Sequence, residues 1–145
     1  MTTTEANTEA VRREFEEVWN EGNMDLVDEL YSDAYVGHST TGDIEGPEAR
    51  KGYIGTFRSA FPDGRIEVED LLASEDRVVA RYSWHGTHEG ELMGIEPTGN
   101  RVDVGAIAIA RFEDGKITEH WIVGDVYGLM QQLGVVPSEA ATPAE

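Results

Sequence analysis

Cysteine is absent from the 145 residues, which removes disulfides, thiolate metal ligands and thiol nucleophiles from consideration. Positive charge is scarce. Two lysines and nine arginines face 29 acidic residues, for a formal net charge of −18. Such a surface repels phosphate backbones and anionic lipid, and argues against nucleic acid or membranes as partners. No apolar run approaches the length of a bilayer span, and the N-terminal MTTTEANTEA lacks the basic and apolar regions of a secretory signal, so a cytoplasmic protein is expected. A phosphate-binding glycine loop, a zinc-protease helix and a nucleophile elbow are all missing as patterns. The acidity also opposes compaction unless salt screens it, the Debye length falling to about 3 Å at 1 M salt. A halophilic, salt-adapted protein is therefore expected, with a melting temperature that rises with KCl.

What is present reads as one domain over residues 1–136, with 137–145 as a disordered acidic tail. Val11, Phe15, Val18 and Trp19 recur at helical spacing between a Thr2-x-x-Glu5 capping pattern and Gly22, predicting a helix over 5–21. Glu14, Glu16 and Glu17 read as its solvated face. A shorter helix follows, with Asn23 as cap and Leu26, Val27, Leu30 and Tyr31 on one side. Residues 34–38 read as a strand ending at His38, and STTGDIEG as loop. Pro47 begins a third helix carrying Tyr53, Phe57 and Phe61, which PDG ends. The period then changes to two. Strands are predicted over 66–73, 78–88, 102–112 and 117–125, and DVYGLMQQLG as a closing helix. Helices followed by a run of strands indicate an α+β domain with helices on one face of a curved antiparallel sheet.

In the EDGK hairpin, Asp114 and Gly115 as turn residues pair Glu113 with Lys116. Counting outwards puts Ala110 opposite Glu119, Ala108 opposite Trp121, Ala106 opposite Val123 and Val104 opposite Asp125. The face with three alanines has room either for a closely packed helix or for a cavity. In a cavity, apolar walls would raise the Asp125 carboxyl toward the range useful for moving a proton at neutral pH. As the alternative, Asp125 caps the final helix. The stretch GIEPTGNRVDVG, residues 94–105, is expected to edge the pocket mouth.

The segments GTHEGELMGIEPTGNRV (86–102), FEDGKITEHW (112–121) and DVYGLMQQLGV (125–135) resemble the SnoaL-like polyketide cyclases, or ester cyclases, of the nuclear transport factor 2-like superfamily. FPDGRIEVEDLLASEDRVVARYSW (61–84) is similar to the same family. The resemblance implies a cone-shaped, cystatin-like barrel whose curved antiparallel sheet wraps the N-terminal helices around an apolar pocket, commonly in a homodimer or larger homo-oligomer. It also implies that Asp125, four residues after the tryptophan of EHW, acts as acid and base in an intramolecular aldol closure of a polyketide ester, without metal or cofactor. The enolate then needs a hydrogen-bond donor, and His38, His88 and His120 are the candidates. Trp84, Trp121, Tyr53 and Met93 are the candidate walls around a small hydrophobic substrate. The same fold hosts isomerases, hydrolases and non-catalytic modules, so these stand as alternatives.

Alternation sharpens the histidines. His85 and His88 are three apart on a strand and point to opposite faces, which disfavours a metal pair. His88 shares the apolar face with Tyr82 and Trp84, while His85 joins Arg81 and Ser83. His120 alternates with Trp121 and so should leave the Asp125 face, a reading that a one-residue bulge would reverse. His38 is equally expected as a structural histidine, and Trp19 as helix packing.

Overall fold

A computed structural model describes residues 2–136. The predicted disordered tail lies outside the described residues. Four helices and six strands alternate as α1 (Thr3–Arg13), a π-helical continuation (Glu14–Trp19), α2 (Asp25–Leu30), β1 (Tyr31–Ser39), β2 (Gly42–Glu45), α3 (Pro47–Ala60), β3 (Arg65–Ser74), β4 (Arg77–Thr87), β5 (Arg101–Glu113), β6 (Lys116–Gly124) and α4 (Val126–Leu133). Thr2 and Glu5 form a reciprocal capping box at the start of α1. Asn23, expected to cap α2, does not; the residue before the helix is Met24, without a side-chain cap bond. No described helix is long and apolar enough to cross a membrane.

The six strands form one curved sheet in the order β2-β1-β6-β5-β4-β3, antiparallel except that β1 and β6 run parallel. Residues 42–45, expected as loop, form β2 against the end of β1, and β1 begins at Tyr31 rather than at residue 34. Inward positions of β3 to β6 meet Val11, Phe15, Val18 and Trp19 from the first helix and Ile54 and Ala60 from α3 in one continuous core. Each fully buried large apolar side chain there contributes roughly 1.5–3 kcal/mol.

In the π-helical turn four of six residues, Glu14, Phe15, Val18 and Trp19, are buried. Glu14, read from sequence as solvated, is 1% exposed. It lies three residues after Val11 and four before Val18, at the border of the apolar stripe, and Arg50 and Tyr31 receive it there.

The β5–β6 hairpin departs from simple counting in a consequential way. Asp114 and Gly115 both have positive φ, as a two-residue turn of this kind needs, and Glu113 pairs with Lys116. The register then shifts between Arg111 and Phe112, so that Arg111 faces Glu119, Ala110 faces His120, Ala108 faces Ile122 and Ala106 faces Gly124. Thr118 is the extra residue. A bulge of one residue exchanges the faces of everything beyond it, so His120 turns inward and Trp121 outward.

Candidate active site

A cavity of about 200 Å³ opens between the helices and the concave side of the sheet. Trp19, Tyr53, Phe57, Tyr82 and Trp84 supply its aromatic walls, Val104 to Ala106 its sheet side, and Asp125 its one acidic side chain. Gly105 and Ala106 line it, while Ala108 and Ala110 are packed in the core, so both outcomes considered for the alanine-rich strand, open space and close packing, occur along it. Of the pocket residues named from sequence, the structure brings Asp125, Trp84, Tyr53 and Met93 to this cavity. Trp121, His38, His88 and His120 do not line it.

Each displaced residue has a physical reason. Trp121 follows the bulge to the outer face, where Arg77 lies 5.1 Å over its ring and His38 packs at 5.9 Å. His38 also faces outward: its Nε2 meets Glu119 at 2.8 Å and its Nδ1 meets Asp43 at 3.4 Å. The hydrogen bond to Glu119 raises its pKa. His88 lies just beyond β4, and its Nδ1 accepts from the Thr98 backbone N–H at 3.1 Å. Backbone bonds from His88 to Asn100 and from Gly99 to His88 complete a clasp around the 88–100 loop. His85 points outward with Ser83, Glu67 and Asp103, as alternation predicts.

The clasp shapes the rim. Met93 and Gly94, both at positive φ, make a tight turn bridged by Leu92 and Ile95. Leu92 is buried and Met93 is 47% exposed, and both line the cavity. Of the stretch 94–105 expected at the mouth, only Val104 and Gly105 line the cavity; the loop reaches it instead through Leu92 and Met93.

Asp125 was expected to be desolvated by apolar walls, but it is exposed at the mouth. Its backbone N–H donates to Gly105 O at 3.0 Å, fixing it at the end of the sheet, and its Oδ1 accepts from the Gly128 N–H at 2.8 Å. It is thus both the N-cap of α4 and a pocket residue. The cap, drawn from sequence as the alternative, is present, and Asp125 lines a cavity without the expected desolvation. The first turn of a helix also favours a negative charge there.

Beneath the cavity lies a buried polar cluster that spacing did not reveal. Arg50 Nη2 donates to Glu14 Oε2 at 2.8 Å and Arg50 Nε to Tyr31 Oη at 2.9 Å; Tyr31 in turn donates to Glu14. Tyr35 Oη and His120 Nδ1 lie 2.9 Å apart. Burial, the largest effect, works to raise the Glu14 carboxyl, but the Arg50 charge, His120 and the hydrogen bonds from Tyr31 and Arg50 together outweigh it and hold the group below its ordinary value. Burial, seconded by Arg50, drives His120 down to about 3, and burial pushes Tyr35 up to about 12. Only the i, i+3 and i+4 neighbours of Glu14 were visible in its helix; its partner Arg50 is 36 residues away. The Arg50 guanidinium sits 5.3 Å from the Tyr53 ring centre and 5.7 Å from that of Trp19, two cavity walls.

Tyr53 and Tyr82 are the further finding at this site. Neither hydroxyl makes a hydrogen bond to the described residues, and both rings line the cavity. Burial raises both phenols, with Arg50 opposing the rise, so both remain protonated donors at neutral pH. The helical spacing marked Tyr53 as apolar wall, and nothing in the sequence distinguished its hydroxyl. Among the described residues no cluster of histidine, aspartate and glutamate is arranged to hold a metal ion.

Comparison with known proteins bears on this geometry. Residues 9–133 match the family model described as SnoaL-like polyketide cyclase. The chain is 32% identical over 119 residues to the nogalonic acid methyl ester cyclase of Streptomyces nogalater, covering 80% of this chain and 89% of that one. It is 32% identical over 128 residues to the aklanonic acid methyl ester cyclase AcmA of Streptomyces galilaeus, covering 86% and 88%. In three dimensions it is similar to TsrD of Streptomyces laurentii, with a TM-score of 0.83 at 28% identity over 91% of this chain and 97% of that one.

Proposed function

Since the chain belongs to the SnoaL-like polyketide cyclase family, we propose that this cyclase-type enzyme closes a ring in a polyketide methyl ester by an intramolecular aldol reaction, with Asp125 as acid and base and no cofactor. The observation that carries the reading is a single carboxylate at the edge of a mainly apolar and aromatic cavity whose other polar lining, apart from the aromatic side chains, is the hydroxyls of Ser39, Thr40, Thr41 and Thr56. The named relatives act on methyl esters of nogalonic and aklanonic acid, and the aromatic walls suit a small hydrophobic substrate of that class.

In this reaction the Asp125 carboxylate takes the proton from the carbon beside a carbonyl. The electron pair moves into an enolate, whose carbon attacks a second carbonyl within the same molecule. A carbon–carbon bond forms, and Asp125 returns its proton to the oxygen that becomes a hydroxyl. The Tyr53 and Tyr82 hydroxyls, together with the unpartnered indole N–H groups of Trp19 and Trp84, are donors available to the enolate oxygen and take over the role expected of the three histidines.

The cap bond to Gly128 favours a second reading, in which Asp125 only secures α4 and the cavity binds without catalysis. Isomerisation or hydrolysis in the same pocket would use the same carboxylate. Asp125→Asn separates these readings from the cap, because asparagine caps as well as aspartate but is no base. Turnover of aklanonic acid methyl ester is expected to fall by about 100-fold or more. Wild-type turnover by this variant would remove Asp125 from the chemistry.

A homodimer forms part of the proposal. On the outer sheet face Ile107 stands directly opposite Val123, 69% exposed, with Leu72 at 66% on the same sheet. Apolar side chains left in water on a sheet face support association, and a monomer in sedimentation at working concentration would exclude it.

A further inference from the structure

Gly128 lies in the first turn of α4 with its N–H on Asp125 Oδ1. A Cβ built there would lie 2.2 Å from Asp125 Oδ2, 2.7 Å from Cγ and 2.9 Å from Oδ1. All three nearest atoms therefore belong to one carboxylate. Backbone conformation does not demand glycine, since Gly128 is absent from the residues with positive φ. Helix stability does not favour it either, because alanine is the better residue within a helix. Gly128 is buried, and the three atoms nearest to such a Cβ are all of Asp125, none of the sheet or of another helix. What glycine supplies here is a seat: an N–H for one oxygen and empty space for the other.

We propose that Gly128 is the positioning residue for Asp125, and that the missing side chain lets the carboxylate lie across the start of α4 at the cavity edge. One oxygen is fixed by the Gly128 N–H, while Oδ2 has no donor among the described residues and is left for the substrate proton. An alanine keeps the N–H but occupies the seat, so the carboxylate must turn away about its own side-chain bonds. This rests on the acid–base reading of Asp125.

The test compares Gly128→Ala with Asp125→Asn and with Gly52→Ala. Gly52 is a helical glycine with nothing within 4 Å of its added Cβ, and so carries the same change in helix preference without the carboxylate. Turnover of aklanonic acid methyl ester and thermal melting are measured for each, and NMR follows the residue-128 amide proton and the Asp125 side-chain carbon against pH. For Gly128→Ala the expected result is a melting temperature near wild type, the gain in helix preference offsetting the lost cap, with KM nearly unchanged and kcat lower by about 100-fold, the cost of displacing a reacting group by roughly 1 Å. The residue-128 amide proton, bonded to Asp125 Oδ1, is expected to follow the Asp125 side-chain carbon in wild type and not in Gly128→Ala. Gly52→Ala should melt higher with wild-type kcat.

Wild-type kcat in Gly128→Ala beside an inactive Asp125→Asn would overturn the proposal, as would an amide in Gly128→Ala that still follows the carboxyl. Full turnover by Asp125→Asn would instead overturn the acid–base reading, and the NMR comparison would still decide whether the seat exists.

Discussion

Two carboxylates, Glu14 and Asp125, occupy opposite kinds of surroundings in the same small fold. Glu14 is 1% exposed, receives Arg50 and Tyr31, and is held as an anion by the Arg50 charge. Asp125 is exposed at the mouth of an apolar cavity and takes one backbone N–H at 2.8 Å. Both carboxylates keep one oxygen without a donor among the described residues, since Arg50 and Tyr31 share Glu14 Oε2 and Gly128 holds Asp125 Oδ1. Access separates them: Glu14 is closed off in the interior beside a buried guanidinium, while Asp125 meets the open cavity. Burial and a charged partner alone therefore do not mark a catalytic acid here; contact with the cavity does.

The same chemical change at the two sites should separate these roles most strongly. Glu14→Gln leaves the Arg50 charge buried without its counter-ion, and about 3–5 kcal/mol of stability is expected to be lost in urea denaturation. A loss below about 1 kcal/mol would show that Arg50 does not depend on Glu14. Asp125→Asn, by contrast, should leave stability nearly as it was and remove turnover. A smaller effect is expected from Tyr53→Phe. With Tyr82 still present, kcat on aklanonic acid methyl ester should fall about tenfold while the melting temperature holds, less than the loss of a sole oxyanion donor. An unchanged kcat would free the tyrosines from the chemistry.

The smallest effect concerns pH. His120 has a folded value of about 3 against an ordinary 6.5, so between those values the unfolded chain binds more protons than the native one. Stability from this group is complete above about pH 6.5 and declines as pH falls through that window, and the lowered Glu14 adds to the decline below its ordinary value of 4.5. Melting temperature should drop on acidification, and His120→Gln should flatten the part of the slope nearest pH 6. An equal slope in that variant would assign the acid sensitivity elsewhere.

Much of the fold was legible because it is written in local periods. The capping box at Thr2 and Glu5, the i, i+4, i+8 aromatics of α3, the two-residue turn at Asp114 and Gly115, and the alternation of β3 to β6 each depend on residues a few positions apart. The exceptions have two causes. The bulge at Thr118 exchanged His120 with Trp121, and such an insertion leaves no mark in spacing because the inserted residue is itself ordinary. Glu14 borders the apolar stripe of its helix, but the Arg50 that lets a carboxylate be buried there is 36 residues away.

At the candidate site, sequence placed Asp125 at the junction of a strand and a helix, and the tyrosine and tryptophan positions on apolar faces. Which of them share a cavity depended on contacts between distant segments. Arg50 meets Glu14 across 36 residues, His120 meets Tyr35 across 85, and His88 turns back on Thr98 to hold the rim. Local pattern decides which face a residue prefers, since the helix and strand repeats are geometric properties of the backbone. Only the packed chain decides which polar groups find partners in the interior and which are left facing an open pocket, since that choice depends on the position of every other donor and acceptor.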